Sequence, residues 1–62
     1  MPRKLRQLIA DLLRAGFEMT PAKGSHRKFR KGDTVVVISG QPGDDAKRYQ
    51  EQDVVKAIEQ EK

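Results

Sequence analysis

Ser25-His26-Arg27-Lys28-Phe29-Arg30-Lys31-Gly32-Asp33-Thr34-Val35-Val36-Val37-Ile38 reads as two extended segments folded back on each other. Ser25 through Arg30 form one strand, Thr34 through Ile38 the next, and Lys31-Gly32-Asp33 make the turn between them. Just upstream, Phe17-Glu18-Met19-Thr20 has period two, with Phe17 and Met19 directed to a core and Glu18 and Thr20 to water until Pro21 limits pairing. Ala22-Lys23-Gly24 supplies the intervening turn. Three strands joined by tight turns predict an antiparallel meander with the Ser25–Arg30 strand in the middle. The last strand is apolar on both faces, since Val35 and Val37 point one way and Val36 and Ile38 the other. Helices on one side cover only half of that, so the surplus points to a second surface covered by another chain or by the protein's own loops.

The flanks are helical. Leu5, Leu8, Ile9, Leu12 and Leu13 fall on one stripe of a helix from about residue 3 to residue 15. Gly16 follows where helices end in the left-handed conformation, and Phe17 is placed to fold back on Leu12. Beyond the strands, Gly40-Gln41-Pro42-Gly43 is a break and Asp44-Asp45 a capping turn. A last helix near Gln50 to Glu61 follows, with Val54, Ala57 and Ile58 as its apolar stripe and Val55 at the margin. The fold class is therefore α+β, with both helices on one face of a three-stranded antiparallel sheet.

Residues 1–62 are expected to form a single domain, one that buries only about 60% of its unfolded surface and is stable by a narrow margin. With no cysteine there is neither disulfide nor thiolate metal site, and one histidine does not build a usual zinc site, so no metal or other cofactor is expected. The longest apolar stretch, Val35 to Ile38, is far short of a membrane span, and the N-terminus lacks a signal peptide's apolar core. A cytoplasmic protein is expected. Charge is split between the halves: residues 1–31 hold nine Lys/Arg against two Asp/Glu, a net of +7, and residues 32–62 hold four against seven, a net of −3. The basic half suits a surface that meets phosphates or an acidic protein, whereas the bland reading is a solvated face.

His26 is the only histidine, and imidazole is the side chain best suited to proton transfer at neutral pH. With Phe29 inward, alternation sends His26, Lys28 and Arg30 to the outer face at intervals of about 6.6 Å, near the spacing of successive phosphates. Arg27 and Ser25 fall on the inner side, where an arginine near a strand end snorkels to water. RNA cleavage without a metal needs a base for a 2′-hydroxyl proton and fixed positive charge where the phosphorane gathers negative charge. His26 fits the first role and Lys23, Lys28 and Arg30 the second. Ser25 has no residue to activate it as a nucleophile and is expected to fix the turn with a hydrogen bond. The residues by themselves leave three readings open: an endoribonuclease with His26 as general base, a non-catalytic RNA-binding module using the same strand and the first helix, and a protein-interaction domain whose basic half meets an acidic partner.

The helix ending in Ala15-Gly16-Phe17, then Gly24-Ser25-His26 with Phe29 three residues on, then a Val-rich strand and a Pro-Gly loop, resembles the HicA family, the small toxins of bacterial type II toxin–antitoxin pairs. The resemblance covers nearly the whole chain. It implies a fold similar to a double-stranded RNA-binding domain, α-β-β-β-α, and an mRNA interferase that arrests translation. By the same resemblance His26 is the catalytic histidine, and Gly24 and Ser25 belong to its motif. The implied partners are mRNA as substrate and a HicB-type antitoxin that occludes the histidine. Many relatives carry a further histidine after the third strand, where this chain reads Ser39-Gly40-Gln41, so the role of general acid is unfilled.

Overall fold

The computed structural model describes residues 3–21, 24 and 26–61. The elements run α1 (Leu5–Arg14), β1 (Glu18–Pro21), β2 (Arg27–Lys31), β3 (Thr34–Ile38) and α2 (Arg48–Gln60), the α-β-β-β-α order expected. The sheet is an antiparallel meander in the order β1-β2-β3, with β2 in the middle. Its register aligns Met19, Phe29 and Val36 in one row and Thr20, Lys28 and Val37 in the next. Opposed residues share a face, so the first row looks toward the helices and the second away from them. Phe29, Val36 and Ile38 join Leu5, Leu8, Leu12, Phe17, Ala46, Val54 and Ala57 in one hydrophobic cluster. Phe29 and Leu12 are both wholly buried, and each large side chain sequestered this way contributes about 1.5–3 kcal/mol.

The helix ends explain where the predicted boundaries move. Lys4 is extended rather than helical, because Arg3 and Lys4 run beside the β3–α2 loop: Ala46 N donates to the Arg3 carbonyl and Lys4 bridges Asp45. The same loop returns acceptors to α1, with Leu5 N donating to Asp44 O (2.9 Å) and Arg6 N to Pro42 O (3.0 Å). These bonds satisfy donors a helix start leaves free. At the other end Gly16 takes φ +97°, Phe17 N donates to Leu12 O and Gly16 N to Leu13 O, each at 3.0 Å. That pair of bonds is the Schellman motif, and it turns Phe17 back over the core as expected. Helix α2 starts two residues earlier than predicted because Lys47 N donates to Gln50 Oε1 (2.9 Å), the interaction Lys4 N also makes with Gln7 Oε1 (2.8 Å). Each helix thus opens on Lys-x-x-Gln.

Three expectations need correction. Leu13 is 48% exposed: at about 100° per residue it lies farthest round the α1 stripe, beyond the half-buried Ile9. Met19 is 46% exposed, since it shares Phe29's face but sits on an edge strand with one flank open. Strand β2 begins at Arg27 rather than Ser25 and extends to Lys31. The surplus on β3 is real, with Val35 and Val37 on the face turned from the helices and 47% and 54% exposed. Among the described residues no helix is long and apolar enough to cross a membrane.

Candidate nucleic-acid interface

Strand β2 packs four cations around Phe29, and alternation splits them. The inward pair is tied to backbone: Arg27 Nη1 donates to Gly40 O (3.2 Å) and Lys31 Nζ to Ala15 O (2.7 Å). Lys31 thereby supplies a cation where the carbonyls of α1 are unpaired, the favourable end of the helix dipole. Arg27 is half-buried and reaches the loop after β3, as a snorkelling arginine does. Lys28 and Arg30 are exposed on the outer face, opposite Val37 and Val35 across β3 and Thr20 and Glu18 across β1. Among the described residues, of these two only Arg30 is engaged, weakly, through Nε to Gly32 O at 3.4 Å.

His26 departs from the alternation. It precedes β2, is exposed, and lines an open cleft of roughly 410 Å³ with Ser39, Gly40, Asp44, Asp45, Lys47 and Tyr49. Lys28 and Arg30 do not line this cleft. The predicted single row of one imidazole and two cations is therefore two adjoining features, an outer cationic face and a cleft at the end of β2. The pleat that orients Lys28 and Arg30 does not extend to a residue outside the strand. Gly24 is exposed with φ +63°, the conformation a glycine turn favours. Lys23 and Ser25 lie outside the described residues.

Buried Leu5 and Gln50 form the base of the cleft. Gln50 holds it together: its Nε2 donates to Ser39 O (3.1 Å), while its Oε1 accepts from Lys47 N, so the end of β3 and the start of α2 are pinned to one side chain. Both acids of the cleft have partners, Asp45 in an ion pair with Lys4 and Asp44 Oδ2 accepting from Gln41 N at 3.0 Å. The other exposed groups that line the cleft with His26 include Lys47 and Tyr49, at the N-terminal end of α2 where the helix dipole is positive. Neither was among the candidate residues read from the sequence, in which α2 carries more acids than bases. Its acids begin at Glu51, and its first residues, Lys47-Arg48, are basic. The β3–α2 loop closes onto Lys4 over a long sequence separation, and no local pattern announces that closure. Among the described residues no group of three or more His, Cys, Asp or Glu side chains gathers as a metal site.

Element order, core and cleft define a small two-layer α+β domain with a cationic outer sheet face and a histidine at the end of its central strand. The family model described as the HicA toxin of bacterial toxin–antitoxin systems matches residues 5–60, from the first residue of α1 to the last of α2, and the chain belongs to that family. It is accordingly a toxin of a toxin–antitoxin pair, with an antitoxin as partner. No curated protein and no solved structure gives a significant match.

Proposed function

We propose that this toxin, acting as one domain in the cytoplasm, is a metal-independent endoribonuclease, an mRNA interferase that cuts mRNA and so arrests translation. The observation that carries the reading is an exposed His26 in a cleft shared with Lys47 and the N-terminus of α2, at the end of the strand that carries the exposed cations of the outer sheet face. His26 takes the proton of a 2′-hydroxyl as general base, and the freed oxygen attacks the adjacent phosphorus. Lys47 and the positive end of α2 stand where the phosphorane's negative charge gathers. The 5′-oxygen departs with a proton from a lysine or from water, leaving a 2′,3′-cyclic phosphate and a 5′-hydroxyl. Lys28 and Arg30 hold the flanking backbone with Lys23 as a further cation, and Gly24 and Ser25 join the RNA-binding residues as parts of the family's motif. A HicB-type antitoxin silences the toxin by covering His26.

Incubating purified toxin with mRNA in the presence of a chelator tests the reaction. Fragments ending in a cyclic phosphate, absent with His26→Ala, support it. Intact RNA retained in a salt-sensitive complex, with His26→Ala binding only modestly weaker, would instead indicate a non-catalytic RNA-binding module.

A further inference from the structure

Strand β3 is an edge of the sheet, and beside it runs an open groove lined by Val35, Val36 and Val37 on one side and Asp53, Lys56 and Ala57 of α2 on the other. Gly32 has φ +59° and Asp33 a negative φ, the signature of a two-residue type II′ turn, so Lys31 and Thr34 are the first hydrogen-bonded pair of the hairpin. Alternation makes Phe29–Val36 and Arg27–Ile38 the next such pairs. Val35 and Val37 therefore aim their N–H and C=O groups away from β2, toward the groove. Among the described residues no backbone hydrogen bond from elsewhere reaches them. We propose that this edge pairs with the β3 edge of a second copy of the chain, antiparallel about a two-fold axis through Val36, joining the two sheets into one of six strands.

The register follows from parity. An antiparallel strand meets β3 only with its own outward-pointing residues opposite Val35 and Val37, and a two-fold axis through Val36 is the one arrangement in which each valine opposes the partner copy's other valine. Both pairs then exchange their N–H and C=O groups, making four hydrogen bonds. The axis is perpendicular to the sheet, so both pairs of helices stay on one face. On the opposite face Val35 and Val37 of each copy meet and cover the apolar surface left open at 47% and 54% exposure. Over the inner face, Thr34 Oγ1 donating to Glu61 and Gln50 Nε2 donating to Ser39 O fix α2 antiparallel to β3, with Ala57 near the level of Val36. A small residue thus stands by the axis, Asp53 faces the partner copy's Gln60, and Lys56 reaches toward its Asp53. One acid and one base leave the groove without net charge, which suits a copy of itself and not a phosphate backbone. The His26 cleft lies beyond the far end of β3 and stays open.

Sedimentation of the purified 62-residue chain, from micromolar to sub-millimolar concentration, tests this directly. The wild type is expected to approach twice 7.0 kDa. V35K/V37K sets like charges opposite each other at both pairs and raises the dissociation constant about tenfold or more, whereas V35K/V37E sets opposite charges there and restores the dimer. Both positions are half-exposed, and circular dichroism verifies that each variant is folded. A wild type that stays at 7.0 kDa throughout, or a dimer indifferent to the charge pattern, overturns the proposal, and the wild type's own series decides even if a variant fails to fold.

Discussion

Lysine and arginine on one strand do different work according to what lies beneath each. Arg27 and Lys31 reach backbone carbonyls at the margins of the fold, and Lys28 and Arg30 are exposed on the outer face. Lys31→Ala is accordingly expected to cost about 1 kcal/mol in thermal unfolding, from a lost bond at the end of α1. Lys28→Ala and Arg30→Ala leave stability within about 0.5 kcal/mol. Instead each lowers RNA affinity and reduces the slope of log affinity against log salt by about 1. A lowered melting temperature without a change in salt slope for either outer variant would count against the outer face as the backbone-binding surface. The placement of these two cations was legible because Phe29 sets the phase of a regular strand. That of His26 was not, because the strand starts one residue after it and periodicity says nothing about a side chain beyond its end.

Helix α1 and the hairpin were readable for a local reason: their signals lie within a few residues of the structure they specify. Gly16 after the Leu12-Leu13 pair predicts a left-handed terminus, and Gly32-Asp33 between a mixed strand and an apolar one predicts a tight turn. Gly16→Ala should destabilise by about 1 kcal/mol, since φ +97° penalises any side chain while the nearest atoms, at the end of Lys31, leave room for a Cβ. Phe29→Ala, at the centre of the core, should cost about 3–5 kcal/mol in denaturant unfolding. The start of α2 was misplaced because its determinant is tertiary. Gln50 is buried, bonded both to Ser39 O and to Lys47 N, and a glutamine in a polar stretch carries no mark of that burial. Gln50→Ala is expected to lower stability by about 1–3 kcal/mol and to reduce RNA cleavage by more than the folded fraction explains, because it loosens one wall of the His26 cleft. Cleavage that tracks the folded population alone would leave Gln50 a purely structural residue.

Across the whole molecule, the division into a basic and an acidic half has a spatial meaning the linear count only half conveys. The basic half contributes the outer face's cations and His26, and the acidic half contributes α2, yet the two meet in the cleft that His26 and Lys47 both line. Contacts between positions as distant as Lys4 and Asp45 build that junction, which is why composition pointed to a phosphate-binding surface without locating the cleft. The family resemblance suggested the role proposed for His26, and the fold supplied its neighbours in the cleft. The proposed reaction depends on that one exposed side chain, whose removal leaves the core untouched. Induced expression of the wild type and of His26→Ala, with growth and mRNA integrity followed together and the variant's fold verified by circular dichroism, is the decisive comparison. Arrest and mRNA loss confined to the wild type are the expected result. A folded His26→Ala that arrests growth and degrades mRNA as fast as the wild type would contradict it.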